Sequence, residues 1–252
     1  MAMYRAVGFV IKRADYGEGD RILTLFTQYQ GKITTVAKGV RKSTSRKGGN
    51  VELFNLTRFQ LAEGKSMDLI VEAEVEESYK SLRDNLHLIS VVYQMIELID
   101  QFVQEDQSNP QAYFLFKQTI EELNKSPQED RARATLVFFQ INLLTMVGFK
   151  PELTACVKCG NKLRGDGNIF SPHLGGVVDK NCRSTVVAGV EIPIDSIKTL
   201  RFFQTQNWEQ ATKLKIEPLV LHELEDLLQS YIEFVLEKDL KTISFSKRTR
   251  AS

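Results

Sequence analysis

Along the first eighty residues the apolar positions fall in short, strand-sized runs separated by Gly-containing breaks. Tyr4 to Ile11, Arg21 to Thr27, Lys32 to Ala37, Leu53 to Leu61 and Met67 to Val75 are rich in β-branched and aromatic side chains. Asp15-Tyr16-Gly17-Glu18-Gly19-Asp20, Gln30-Gly31, Gly48-Gly49-Asn50 and Glu63-Gly64 supply the turns between them. In the fifth run Leu69, Val71, Ala73 and Val75 share one face, with Asp68, Glu72 and Glu74 on the other. Five short strands predict a closed or nearly closed β-barrel, of which the OB-fold is the five-stranded version. A small SH3-like barrel fits the strand count nearly as well.

After Tyr79 the apolar period changes to that of a helix. Leu82, Leu86, Ile89, Val92, Met95, Ile96, Ile99 and Phe102 predict one helix ending near Asp106. A second follows Asn109-Pro110, with Tyr113, Phe116, Ile120 and Leu123 as its stripe. A third starts at Ser126-Pro127, with Glu129 in its first turn, and stops at Gly148. The third is apolar on nearly every side from Leu136 to Met146, which predicts the most buried helix. Beyond Pro193 a short helix over Asp195 to Gln204 is expected, then a loop holding Trp208, then a long amphipathic helix from Pro218 to Leu240. Leu, Phe and Met stripes of this kind make cores, and no catalytic grouping sits among them. The fold class expected is α+β: an N-terminal five-stranded barrel over residues 1–80, then a helical domain over 81–252.

Residues 151–190 obey neither period. They are Gly-rich and hold all three cysteines. Cys156-Val157-Lys158-Cys159-Gly160 has the form of a metal knuckle, whose partner should be a second C-x-x-C some 15–20 residues on. The counterpart is Asp179-Lys180-Asn181-Cys182, with 19 residues between Cys159 and Asp179. The spacing predicts one zinc ion on Cys156, Cys159, Asp179 and Cys182, a carboxylate replacing one thiolate; His173 is an alternative fourth ligand, and a metal-free hairpin is the other reading. The C-x-x-C does not open a helix after a strand, which disfavours a thioredoxin-like redox pair.

Charge changes the picture of the barrel. The chain of 252 residues carries 33 Lys and Arg against 32 Asp and Glu, a net of +1 that argues against a uniformly basic surface. Residues 1–60, however, hold 11 basic and 4 acidic side chains, a net of +7, and residues 61–150 hold 8 and 15, a net of −7. Such asymmetry suggests a local site for a polyanion. The densest tract, 38–49, contains Lys38, Arg41, Lys42, Arg46 and Lys47 and no acid, a composition expected to stay extended and out of the core. With Arg21 and Lys32 from the strands, it could neutralise phosphates and release counterions, giving affinity without base preference. Phe9, Phe26, Tyr29, Phe54 and Phe59 could offer stacking platforms to bases, although core packing is the preferred reading for at least half of them. The tail Lys247-Arg248-Thr249-Arg250 could add a phosphate contact.

Other classes are less well served. Three cysteines are too few, and odd in number, for a disulfide framework. The opening residues lack an apolar signal region, and no apolar run approaches a membrane span, so a soluble, reduced, cytoplasmic protein is expected. There is no P-loop, and Gly17-x-Gly19 lacks the third glycine of a dinucleotide fingerprint, so no nucleotide cofactor is expected. Asp15, Glu18 and Asp20 are the carboxylates a metal-dependent nuclease would use, but no His or Lys is poised beside them for proton transfer. A structural adaptor whose barrel binds protein is the remaining alternative.

Several of these segments, taken in order, carry a resemblance. Tyr16-Gly17-Glu18-Gly19-Asp20-Arg21-Ile22-Leu23-Thr24-Leu25-Phe26-Thr27, Gly31-Lys32 with Val36-Ala37-Lys38-Gly39-Val40-Arg41-Lys42-Ser43, and Glu72-Ala73-Glu74-Val75 resemble the opening of the bacterial recombination mediator RecO family. Phe170-Ser171-Pro172 with Gly175-Gly176-Val177-Val178 resembles its zinc-loop, and Leu240-Lys241-Thr242 the end of its C-terminal helix. The resemblance covers essentially the whole chain and departs from the family at Asp179, where a third Cys is common. It implies an OB-fold, a helical domain and an inserted zinc-loop in a non-enzymatic DNA-repair factor. Such a factor would bind single- and double-stranded DNA and anneal complementary strands. It would act with RecR to load RecA onto DNA coated by single-strand binding protein, whose acidic C-terminal tail is a further expected partner.

Overall fold

The computed structural model describes residues 2–43, 45, 47–237 and 240. β1 (Met3–Tyr16), β2 (Asp20–Thr27), β3 (Gly31–Ala37), β4 (Leu56–Ala62) and β5 (Asp68–Glu77) close into a barrel in the order β1-β2-β3-β5-β4. This is a five-stranded barrel of the OB type, which decides between the two expected barrels. All its pairs are antiparallel except β3 with β5, which is parallel and holds only through Thr35 opposite Asp68 and Val36 opposite Leu69. β1 is long enough to serve two partners: Met3 to Phe9 pairs with β4, and Gly8 to Tyr16 pairs with β2 across a bulge between Val10 and Lys12.

Ala6, Val10, Leu23, Leu25, Ile33, Phe59, Leu61 and Ile70 fill the barrel. Two of the expectations fail here for physical reasons. The alternation of β5 puts Val71 inside, but a bulge between Ile70 and Glu72 lets Ile70 face Leu61 and Ala73 face Phe59, so Ile70 is buried and Val71 only half-buried. The basic tract does reach the core: Val40 is buried in the barrel, as is Val51 at the end of a 3₁₀ turn spanning Gly48–Val51. One apolar side chain among cations is enough to anchor such a tract.

Chain contacts separate two compact units, Met1–Asn85 with Ile99–Phe114, and Leu86–Leu98 with Leu115–Ser252. In the first unit, the ring of Phe9 lies 6.2 Å from Tyr79 and 5.9 Å from Tyr113, whose edge also meets Phe26 at 5.7 Å. The aromatic cluster continues the barrel core into residues 99–114.

The helices are α1 (Lys80–Asp84), α2 (Leu86–Phe102), α3 (Pro110–Lys125), α4 (Glu129–Met146), α5 (Ile194–Thr205), α6 (Trp208–Ala211) and α7 (Pro218–Leu236). The first predicted helix is divided because Asn85 is extended, at φ −115° and ψ 112°. Trp208 opens α6 and is not in a loop, because the Asn207 side chain accepts the Gln210 N–H at 3.0 Å and caps that turn. α7 stops short of Leu240 because Glu237 takes a left-handed conformation, at φ 53°. In the second unit α4 is buried along nearly its whole length, as its pattern predicts. Its Phe138 ring meets Phe203 at 5.5 Å and Trp208 at 4.8 Å, and its Arg133 grips Glu225 of α7 with bonds of 2.9 and 2.8 Å. The same unit carries a small antiparallel sheet of β6 (Asn168–Ser171), β7 (Gly176–Val178) and β8 (Val190–Ile192), in the order β7-β6-β8. No helix among the described residues is long and apolar enough to cross a membrane.

Candidate metal centre and nucleic-acid interface

β7 builds the cysteine site. The N–H of Val157 donates to the Val177 carbonyl at 3.0 Å, which lays the first knuckle against β7, and Asp179 is the next residue after that strand. The knuckle itself turns tightly: the Gly160 N–H returns to the Cys156 carbonyl at 2.9 Å, and Gly160 has φ 73°, a conformation that suits glycine. As a result the thiols of Cys156, Cys159 and Cys182 and a carboxylate oxygen of Asp179 all lie within 4.8 Å of one another. A tetrahedral zinc would need sulfurs about 3.8 Å apart and sulfur–oxygen edges of about 3.5 Å, from Zn–S near 2.3 Å and Zn–O near 2.0 Å. The Cys159 thiol stands 3.2 Å from Asp179 Oδ2, so the residues fit such an ion with small adjustments. The four residues that the spacing selected stand together in the structure. His173, the alternative ligand, is excluded from the group: it lies in the 3₁₀ turn Pro172–Leu174 with its ring 4.5 Å from that of Phe234.

The electrostatics of the group are uneven. The Cys159 thiol, the Cys182 amide and the Asn181 amide hold the Asp179 carboxyl below its usual range. The Cys182 thiol is pushed up to about 12, first by its hydrogen bond with Cys159 and also by burial and by the Asp179 charge. Burial works to raise Cys156, but the amides of Asp179, Cys159 and Lys158 outweigh it and hold that thiol low. A metal binding here would displace the thiol protons, the Cys182 proton being the most firmly held.

The basic residues are placed less uniformly than the sequence suggested. Residues 38–42 dock on the β1–β2 turn. The Gly39 N–H donates to Asp20 Oδ1 at 2.8 Å, the Arg41 N–H to the Gly19 carbonyl at 3.0 Å, and the Arg41 guanidinium to the Gly17 carbonyl at 3.2 Å. Lys38, Arg41 and Lys42 are exposed along this edge. Arg21 sits beside them, half-buried on Asp15 at 3.2 Å and Glu52 at 3.4 Å. Lys47 turns its ammonium onto the carbonyls of Ile70 and Val71 at 3.4 and 3.2 Å. Lys32 goes elsewhere: its side chain is 5% exposed and donates to the Asp100 carbonyl at 2.8 Å and to Asp100 Oδ1 at 3.2 Å. Arg46, the basic tail 247–250 and the segment 241–242 lie outside the described residues.

Of the five aromatics, Phe9, Phe26, Phe54 and Phe59 are buried, and only Tyr29, 65% exposed, could stack on a base. Two of the three acids expected of a nuclease are already engaged: Asp15 pairs with Arg21 and Arg41, and Asp20 holds the Gly39 amide. Among the described residues the cysteine cluster is the group that could hold a metal ion. Sequence reasoning passed over Arg5 and Arg58. With Lys47 they line an open cleft of about 570 Å³ on the β1–β4–β5 face. Their outward positions on adjacent strands, Arg5 opposite Gln60 and Val7 opposite Arg58, were the available signal.

Comparison with known proteins covers both halves of the chain. Residues 1–79 match the family model for the N-terminal part of recombination protein O, and residues 83–243 match that for its C-terminal part. The chain is similar to the DNA repair protein RecO of Dehalococcoides mccartyi, with 36% identity over 95% of this chain and 93% of the relative. It is also similar to the RecO proteins of Roseiflexus sp., 32% identical over 96% of this chain and 84% of the relative, and of Moorella thermoacetica, 30% identical over 96% and 90%. A barrel of the OB type, helices, a clustered set of three cysteines and one aspartate, and family matches along both parts lead to one assignment: the chain belongs to the RecO family of DNA repair proteins.

Proposed function

We propose that this chain is a non-enzymatic mediator that grips DNA by its phosphates, single- or double-stranded and without regard to sequence. The observation that carries the reading is the exposed edge formed by Lys38, Arg41 and Lys42, held on the β1–β2 turn by Gly17, Gly19 and Asp20. Backbone hydrogen bonds fix where these cations stand; Lys38 and Lys42 are exposed to a polyanion, while the exposed Arg41 shares its guanidinium with the Gly17 carbonyl and Asp15. Arg21, paired with Asp15 and Glu52, stands beside this edge; the cleft cations Arg5, Lys47 and Arg58 share their face with Glu72 and Glu74 and are secondary to it. Lys32 takes no part, because it is committed to Asp100. Screening the phosphates of two strands at once lowers the repulsion that opposes their pairing, which is the physical basis for strand annealing. RecR, RecA and the acidic tail of single-strand binding protein are the partners that this reading implies, in the cytoplasm and at the nucleoid.

One zinc ion per chain completes the proposal, held by Cys156, Cys159, Asp179 and Cys182. Its chemistry there is structural: it ties the 156–159 knuckle to the 179–182 knuckle. The division of labour proposed is a DNA-binding barrel over residues 1–80 and a helical part over 81–252 that carries the zinc-loop at about 151–190.

Salt dependence tests the DNA reading. The Lys38→Ala/Arg41→Ala/Lys42→Ala variant should bind more weakly, with the slope of log affinity against log salt smaller by about 2–3 on duplex DNA. It should also lose annealing of complementary strands coated with single-strand binding protein, with or without RecR. An unchanged slope and affinity in that variant would remove this edge from the interface, and cleavage of the DNA would overturn the non-enzymatic reading.

A further inference from the structure

The two oxygens of Asp179 face different tasks. Oδ1 accepts the backbone N–H groups of Asn181 and Cys182, both at 2.9 Å, and so closes the second knuckle as an Asx-type turn. Oδ2 points the other way, to the Cys159 thiol at 3.2 Å, and the residue's own N–H donates to the Cys156 sulfur at 3.4 Å. In an all-cysteine knuckle one sulfur would have to take both the amides and the metal. Here the carboxylate divides the work between two atoms. The residue is buried, at 8% exposure, and binding through both oxygens would require Oδ1 to release the two amides.

We infer that Asp179 is a one-oxygen ligand and the residue that sets the metal preference of this centre, tilting it from soft, thiophilic ions toward zinc. The inference rests on the metal reading proposed above and goes further, since it assigns each oxygen a role and predicts selectivity. Three thiolates and one carboxylate carry the same charge as four thiolates, so overall charge does not distinguish the two donor sets. What differs is hardness: a carboxylate oxygen gives less to Cd²⁺, which favours sulfur, than a fourth thiolate would, and costs Zn²⁺ little, because zinc accepts oxygen, nitrogen and sulfur. Monodentate binding also leaves the centre four-coordinate, as a structural zinc site requires.

Three variants separate the roles. Asp179→Asn keeps an Oδ1 that can take the Asn181 and Cys182 amides but removes the ligand oxygen. Asp179→Ala removes both, and Asp179→Cys restores four thiolates. The full-length chain is titrated with Co²⁺ and read by the thiolate-to-cobalt charge-transfer band, then by competition between Zn²⁺ and Cd²⁺, with thermal melts of the metal-free proteins alongside. The wild-type band should have about three-quarters of the intensity of Asp179→Cys, as three thiolates against four. Asp179→Asn should bind at least about tenfold more weakly than wild type, the smaller loss typical of metal-site substitutions, with its metal-free melt unchanged. Asp179→Ala should lower the metal-free melt as well. Asp179→Cys should gain affinity for Cd²⁺ relative to Zn²⁺ over wild type.

If Asp179→Asn binds as tightly as wild type, Asp179 is only a turn-closing residue and the inference is overturned. Equal band intensities in wild type and Asp179→Cys, or an unchanged Cd²⁺ to Zn²⁺ ratio, overturn it equally. A wild-type protein that shows no thiolate band at any cobalt concentration removes the metal centre itself, a separate failure.

Discussion

Lys32 is the residue for which sequence and structure give opposite expectations, and one substitution decides between them. In the sequence it is one more cation on a basic barrel; in the structure its ammonium is buried on Asp100, 68 residues away, with two hydrogen bonds of 2.8 and 3.2 Å. Hydrogen bonds to a charged group contribute about 1.5–3 kcal/mol each, net of those lost to water. Lys32→Met keeps the methylene volume, removes the charge that had to be desolvated, and leaves Asp100 its second partner Lys12 at 2.6 Å. Those offsets bring the net loss to about 1–3 kcal/mol. A loss of about 2 kcal/mol corresponds to a fall of about 4–8 °C in Tm for a chain of this size. Thermal melts by circular dichroism beside DNA mobility shifts provide the assay. The expected pattern is a lower Tm with DNA affinity within twofold of wild type, the reverse of Lys42→Ala. An unchanged Tm together with weakened DNA binding would refute the reasoning and return Lys32 to the interface.

Other perturbations follow from the same geometry. Gly31 has φ +71° and a Cβ there would fall on the Gln107 carbonyl, so Gly31→Ala should cost about 2–4 kcal/mol, whereas Gly17→Ala, also left-handed but with open space around it, should cost about 1–2 kcal/mol by chemical denaturation. Glu225→Ala leaves Arg133, whose side chain is 14% exposed, with Asp130 at 3.2 Å as its remaining ion-pair partner, and should destabilise the protein by about 1–3 kcal/mol; a loss below about 0.5 kcal/mol would show that the α4–α7 clasp matters little. Burial works to raise the Asp100 carboxyl, but Lys12 and Lys32 outweigh it and hold it below its usual value of 3.8. Its contribution is therefore present above that value and lost as pH falls through the lower folded one, so the stability gap between wild type and Asp100→Asn should be constant near neutrality and close in acid. A chelator should lower the Tm by removing about 2.7 kcal/mol if zinc stands at a hundred times its Kd, and identical melts with and without it would contradict an occupied site.

The barrel was legible because its strands alternate and its turns carry glycine, both local signals. The cysteine cluster was legible because knuckle spacing is a local constraint that two short segments satisfy independently. What escaped the sequence depended on partners far along the chain. A lysine inside a strand reads the same whether Asp100 or a phosphate lies across from it, and nothing near Lys32 names the difference. The β5 bulge reverses one step of an alternation that is regular on paper, because pairing with β4 decides which residue is left over. Val40 hides in a tract of cations, where composition outvotes a single apolar residue. β6, β7 and β8 have three or four residues each, too short for any period to show, yet β7 is what sets Asp179 against Cys156.

The parallel seam between β3 and β5 is the narrowest join in the barrel, and the basic tract splints it. Val40 enters the core on one side, while on the other the Lys47 ammonium holds the Ile70 and Val71 carbonyls and the Asn50 amide holds that of Ala73 at 2.8 Å. A ligand at the proposed Lys38, Arg41 and Lys42 edge would thus act on a segment anchored to the barrel by Val40 at one end and Lys47 at the other. Breathing of the barrel and occupancy of the proposed edge would then be linked equilibria, each able to shift the other. The amides of Val36 and Leu69, paired across the seam, are therefore the reporters to follow: if the proposed edge binds DNA, their exchange with solvent should slow on binding.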